Sequence, residues 1–368
     1  MTSPLNCAVP MYGPSIPVDI QTVDSGIATG RGVHTTVIDT GAATPGTTGD
    51  RSSCILHGTT VASVIKQVAP GASIHSLRHS PVEDRAEGTV EDLVQAIYTA
   101  EEMHAKIVNI SMVACEDVAS LRDAIRAVQG SGALVVASIG NRGQCDEAVP
   151  TFPASYTGVL AVGAVDSRDS SNKESSLDLG RTAAEYNASG SHADLFAPGG
   201  PVSAVLETES GPRTVVGGPD PFFGTSFAAP VVTGTAALVW EIAPFLDATA
   251  VSDILTSTAI AGGSPLRGSS ALQVVNPQAA VEKAWEIRDV RDGRTPEVNA
   301  HGLSAEPWLP ETTSVSSPLL TEPPVDYRVP IALSAVVSLV LIVVLISRAL
   351  SSESRPPSGS AETTRHGA

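Results

Sequence analysis

A chain of 368 residues in which 42% are apolar, 17% charged and 4% aromatic can hold one large α/β domain or two ordinary ones. Its core must come from Val, Ala, Leu and Ile rather than from rings. The formal net charge of -17 excludes a nucleic-acid partner, because phosphate binding needs a basic surface that releases counterions. Four cysteines, Cys7, Cys54, Cys115 and Cys145, contain no CxxC pair, which sets aside a zinc or thiol-redox motif and leaves two disulfides or four buried thiols open.

The start, MTSPLNCAVP, has no basic residues followed by an apolar run, as a secretory signal would. Residues 1–24 read as an N-terminal extension. The run HTTVIDT at 34–40 predicts a buried strand, and HGTTVASVI from His57 predicts a helix with Val61, Val64 and Ile65 on its apolar face. Thr89 can cap a helix whose stripe is Val90, Leu93, Val94 and Ile97. IVNIS at 107–111 is the next strand, Val118, Leu121, Ile125 and Val128 stripe a helix ending before Gly130, and LVVAS at 134–138 and VLAVGAV at 159–165 are two further strands. The segment GTSFAAPVVTGTAALVW then predicts a long apolar helix with Pro230 in its first turn. Alternating strands and helices predict an α/β fold: a doubly wound, mainly parallel sheet with helices on both faces.

This folded domain is expected over 25–290. Residues 291–328 are rich in Pro, Ser, Thr and Glu without apolar period and read as an extended stalk. From Val329 to Ser347 the chain has no charge, enough for about 28 Å of helix, and predicts a single C-terminal transmembrane helix. Arg348, Arg355 and Arg365 follow it in a short tail, 348–368, which the positive-inside rule places in the cytoplasm. The N-terminal domain then lies outside the cell membrane, a topology that requires its export.

In a parallel sheet, functional groups gather beyond the carboxyl ends of the strands. Asp39 ends the apolar run TVI there. His57, one of eight histidines, opens a helix, where the dipole disfavours its charged form and keeps the imidazole basic. Ser226 lies among small residues that leave room around its hydroxyl. Taken singly, these three residues read as a turn Asp, an ordinary His and a helix N-cap.

Together, TVIDTG, HGTTVASVI and GTSFAAPVVTG resemble the three signatures of the subtilases, in that family's order. The resemblance implies a subtilisin-like fold, with Ser226 as nucleophile, His57 as base and Asp39 orienting the imidazole, in an endopeptidase acting through an acyl-enzyme. It also makes Asn141 the oxyanion-hole asparagine. Ser111, Met112 and Val113 would form one edge for an extended polypeptide substrate, and Ala137 to Gly140, with Ser138 and Gly140 in contact, the other. Val113 stands where subtilases often have glycine, which predicts a preference for modest side chains near the scissile bond. The Cys54–His57 spacing, NISMVAC ending at Cys115, the LRHS segment at 77–80 and the C-terminal stalk and span are similar to the mycosins. These are membrane-bound proteases of type VII secretion systems. That similarity implies a disulfide between Cys54 and Cys115 and a secretion membrane complex as partner. It allows two roles, cleavage or structural support of the complex. Should Cys7 and Cys145 pair, they would tie the N-terminal extension over the loop after Asn141. No dense Asp/Asn loop of the EF-hand kind occurs, and no metal or cofactor is expected.

Overall fold

The computed structural model describes residues 10–51, 54–80, 88–166, 182–217, 221–261 and 272–294. They belong to one compact unit, Met1–Val298. In chain order its elements are β1 (His34–Asp39), β2 (Thr47–Gly49), α1 (His57–Val68), β3 (Ser73–Arg78), α2 (Val90–Glu102), β4 (Ile107–Ile110), α3 (Ala119–Gly130), β5 (Leu134–Ser138) and β6 (Leu160–Val165). There follow β7 (Leu195–Pro198), β8 (Ala204–Thr208), β9 (Gly211–Val215), α4 (Thr225–Ile242), α5 (Ala248–Ser257), β10 (Ile260–Ala261), β11 (Gln273–Val274) and α6 (Pro277–Arg291).

The main sheet has the strand order β10-β11-β7-β6-β5-β4-β1-β3-β2, and every neighbouring pair is parallel except β10 with β11. Each central strand buries both faces, so its residues alternate between two cores. Val37 and Val136 join the core under α1, α4, α5 and α6, whereas Ile38 and Val135 join the one under α2 and α3. The expected doubly wound, mainly parallel sheet with helices on both faces is therefore the observed architecture.

Local chemistry sets the element ends. Thr89 caps α2 in a capping box with Asp92. Helix α3 includes Gly130 as its last residue, one position beyond the expected stop. Helix α4 starts at Thr225, so Pro230 is its sixth residue and lies inside the helix, not in its first turn.

By length and composition α4 is also the one helix among the described residues that could cross a membrane, yet 94% of it is buried within the fold. Its apolarity therefore belongs to the core. The transmembrane helix expected at 329–347, most of the stalk and the tail lie outside the described residues.

The disulfide expected between Cys54 and Cys115 is not formed. Cys115 bonds Cys145, with Cα atoms 5.4 Å apart, and Cys54 is in a different disulfide. The reason lies in the sheet: Cys115 and Cys145 sit on the loops that leave β4 and β5, which are hydrogen-bonded neighbours, so the loops run within bridging distance. The same bond overturns a pairing of Cys7 with Cys145.

From Pro10 onward the N-terminal extension lies against the β8–β9 hairpin: Gly13 N–H donates to Thr214 O (3.2 Å) and Val216 N–H to Met11 O (3.0 Å). Val18 N–H then reaches Gln67 Oε1 on α1 (2.9 Å). The next stretch is clasped by one carboxylate near the end of α4. Glu241 Oε2 accepts the N–H groups of Thr29 (2.5 Å), Gly30 (2.6 Å) and Arg31 (3.1 Å). Replacing Glu241 by Ala strands these donors and is expected to destabilise the fold by about 1–3 kcal/mol, read as a lower midpoint in urea with an unchanged slope.

Candidate active site

Three strand ends and two helix starts converge at one end of the sheet. Asp39, the last residue of β1, is fully buried. Its Oδ1 accepts the N–H of Thr40 (2.7 Å) and faces His57 Nδ1 at 2.8 Å, while Oδ2 is buried without a partner among the described residues. His57 is the first residue of α1, and that helix start is seated by the neighbouring strand end rather than by its own N-cap. Thr40 Oγ1 accepts the N–H of Gly58 at 3.1 Å and donates to Ile55 O. Gly58 is required for this seat, since a Cβ there would come within 2.5 Å of Gly41 O and 3.1 Å of Asp39.

Burial is the largest influence on His57 and disfavours its charged form, but the attraction of Asp39 and their hydrogen bond together outweigh it. The imidazole therefore titrates above its ordinary 6.5. Its side chain keeps 30% exposure, so one edge of the ring can meet a substrate. The other face rests on Phe227, with ring centroids 5.2 Å apart, which brings the residue after Ser226 against the imidazole.

Ser226 is the second residue of α4, after an N-cap Gly224 with φ 144°. At that position its backbone N–H is one of the first four in the helix, which have no intrahelical acceptor. Its carbonyl is also freed from the helix, because Pro230, four residues on, has no N–H to donate to it. Ser111 takes the vacancy: its Oγ donates to Ser226 O at 2.9 Å, and Ser226 Oγ donates to Ser111 O at 3.2 Å. Asn109 Nδ2 donates to Ser111 Oγ (2.9 Å), and Thr233 Oγ1 donates to Asn109 Oδ1 (2.8 Å). This polar chain is buried throughout. The sequence reading passed over Asn109 and Thr233, although a lone Asn inside the apolar run IVNIS is a visible signal.

Asn141 follows β5. Its Oδ1 accepts from the N–H (3.0 Å) and hydroxyl (3.2 Å) of Thr225, which leaves the Nδ2 amino group as the free donor beside the start of α4. A Cβ on Gly224 would stand 3.2 Å from that Nδ2, so the absent side chain keeps the donor open. The Ser226 N–H and Asn141 Nδ2 thus form a pair of donors suited to an oxyanion.

The two expected substrate edges are also adjacent. Ser111, Met112 and Val113 continue β4, Ser138 ends β5, and Gly140 follows it. The Val113 side chain lies over Gly140, 3.0 Å from where a Cβ would be, and so narrows the space between the edges. Phe222 stands 6.1 Å from Phe227, the ring that rests on His57, and the Phe223 ring, 53% exposed, pairs with Tyr186 at 5.6 Å. The sequence reading did not single out these aromatics. The described residues contain no cluster of three or more His, Cys, Asp or Glu able to hold a metal.

Comparison with known proteins bears on the family and the fold. The model of the subtilase family matches residues 23–298. Mycosin-4 of Mycobacterium tuberculosis is 31% identical over 305 residues, covering 67% of this chain, while the chain spans 64% of Mycosin-4's length. The crystal structure of MycP1 from Mycobacterium smegmatis superposes with a TM-score of 0.57 at 25% identity, covering 75% of this chain and 88% of that one. That of the MycP3 protease from the type VII (ESX-3) secretion system gives 0.54 at 28% identity, covering 70% and 84%.

The His57–Asp39 pair bears on both stability and titration. Because the folded value is raised, the stability it contributes is full below 6.5 and is lost as pH rises through the folded value. Asp39→Asn removes the charge and leaves at most a neutral acceptor against the same burial, so His57 should then titrate lower than in the wild type. The titration of carbon-13-labelled histidine by NMR, wild type against variant, reads the shift directly. An unchanged midpoint would disprove the coupling.

Proposed function

The chain belongs to the subtilase family, and on that premise we propose that it is a serine endopeptidase cleaving polypeptides through an Asp39–His57–Ser226 triad. What carries this reading is the meeting of four groups at one strand-end crevice: a buried carboxylate, an imidazole bonded to it, a helix-start serine and an amide donor aimed beside that serine. Ser226 Oγ turns from Ser111 O towards the imidazole, which takes its proton as the oxygen attacks the scissile carbonyl. Oxygen–carbon bond formation moves the carbonyl electrons onto its oxygen, and the Ser226 N–H and Asn141 Nδ2 stabilise that charge. Collapse breaks the carbon–nitrogen bond, the amine leaves with the proton from the imidazolium, and water releases the acyl group by the same steps in reverse. Asp39 holds the ring in the tautomer that keeps the second nitrogen basic, and stabilises the imidazolium.

The substrate lies extended between the 111–113 and 138–140 edges. Val113 over Gly140 restricts the side chain before the scissile bond to modest size. One solved relative, MycP1, is a serine protease and an essential component of the type VII (ESX-1) secretion system. By that likeness the present chain serves a type VII secretion membrane complex. It would be anchored by 329–347, with stalk and catalytic domain outside and the tail in the cytoplasm.

Two experiments test the reading. The full chain in detergent, wild type beside Ser226→Ala, is treated with a serine-reactive fluorophosphonate and read by intact mass. One adduct on the wild type and none on the variant is expected. No adduct on either would sink the protease reading and leave structural support of the secretion complex as the function. Second, Val113→Gly should raise kcat/KM for peptides with Phe before the cleaved bond by about tenfold relative to those with Ala, the scale set by small changes of pocket volume.

A further inference from the structure

We propose that Gln144 is a positioning residue for the oxyanion donor Asn141, and that the Cys115–Cys145 bridge holds Gln144 in place against the substrate edge. This rests on the protease reading above.

The hydrogen bonds around the loop after β5 divide the work cleanly. The residues on either side of Asn141 are held by a neighbouring segment: Ala188 N–H donates to Gly140 O (3.0 Å) and Arg142 N–H to Tyr186 O (2.7 Å). Both main-chain groups of Asn141 itself go to Gln144. The Asn141 N–H donates to Gln144 Oε1 at 2.6 Å, and the Gln144 N–H donates to Asn141 O at 3.1 Å. The Asn141 side-chain oxygen is taken by Thr225. Every polar group of Asn141 except Nδ2 therefore has a fixed partner, and the amide plane is held from its backbone by Gln144 and from its tip by the residue before the nucleophile.

Gln144 is in turn constrained from the other edge of the cleft. Its neighbour Cys145 is bonded to Cys115, two residues beyond Val113, and Ala114 is paired with Phe152 through two backbone hydrogen bonds of 2.7 and 2.9 Å. The Cys115 sulfur also lies 3.4 Å from Gln144 O. The bridge thus joins the Asn141 loop to the segment after β4 that carries the proposed substrate edge 111–113. An oxyanion donor helps only when its position is set before charge develops, and a loop of exposed residues such as Arg142 and Gly143 does not set it without such ties.

Gln144 is exposed, so its replacement by Met, similar in length and offering only a weak thioether acceptor in place of the amide oxygen, leaves the core untouched. One solvent-facing hydrogen bond corresponds to about a threefold to tenfold effect. Hydrolysis of an alanyl peptide p-nitroanilide by the full chain is followed for wild type, Gln144→Met, Asn141→Ala and the double variant, with thermal midpoints as a check of folding. Gln144→Met should lower kcat about threefold to tenfold with KM within twofold, and should have no further effect once Asn141 is Ala. An unchanged kcat would overturn the proposal. So would an equal fall in the Asn141→Ala background, which is what loss of general stability produces. Absence of turnover by the wild type would overturn the protease reading and this inference with it, whereas turnover that ignores Gln144 overturns the inference alone.

Discussion

Helix α4 crosses the middle of the sheet at close range, and the position of every group in the cleft is referred to it. It packs on β4, β5, β6 and β7 and on α1, α5 and α6. Such closeness tolerates only small side chains at the crossing points. A Cβ on Gly234 would come within 2.7 Å of the Val68 Cβ, and Ala228, Ala229, Ala236 and Ala237 are fully buried. A helix confined on all sides cannot slide, because packed interiors lack the free volume for it. Ser226 at its second position therefore inherits a fixed place relative to the ends of β4 and β5.

Confinement alone would leave the helix start free to fray, and the break introduced by Pro230 prevents that. The missing N–H at Pro230 releases one carbonyl, and the sheet supplies the replacement donor through Ser111. Asn109 and Thr233 then close the chain back onto α4 itself. A polar chain buried to this degree is stable only if each member is paired, so it sets the rotation of α4 about its axis as well as its depth. The apolar contacts of a helix lined with Ala and Gly could not set that rotation.

The fold was legible because its signals are periodic and local. The expected runs ending at Thr40, Ser111, Ser138 and Val165 lie within a residue of the observed strand ends, and the Thr89 cap has the geometry its residue type implies. The candidate site could be read only through the resemblance of three short segments to the subtilase signatures, and crowding accounts for part of their composition, as with Gly58 against Asp39 or Gly224 against Asn141. The disulfide was not legible, because the choice between Cys54 and Cys145 for Cys115 depends on which loops leave adjacent strands. That is a property of strand order. Gln144 was hidden for a related reason: its neighbours in GNRGQC read as a turn, and only the direction of the Asn141 N–H shows what its side chain accepts. The first-turn place expected for Pro230 would need no compensation, whereas the helix start at Thr225 puts Pro230 inside α4.

The electrostatics of the cleft follow from an imbalance in how Asp39 is satisfied. A carboxylate with both oxygens well solvated or fully hydrogen-bonded spreads its interaction over many partners, and its pull on any one of them is weak. Here Oδ2 has no partner among the described residues and the residue is excluded from water, so the charge acts chiefly through Oδ1 on His57. That raises the imidazole and orients it. Unopposed, the same pull would raise the imidazole further. Two features of the fold oppose it: burial of the ring and its place at the start of α1, where the helix dipole disfavours a cation. The base is thus tuned by competition between a strand end that favours the charged form and a helix start that disfavours it, and Gly58 is the residue whose lack of a side chain lets those two ends approach.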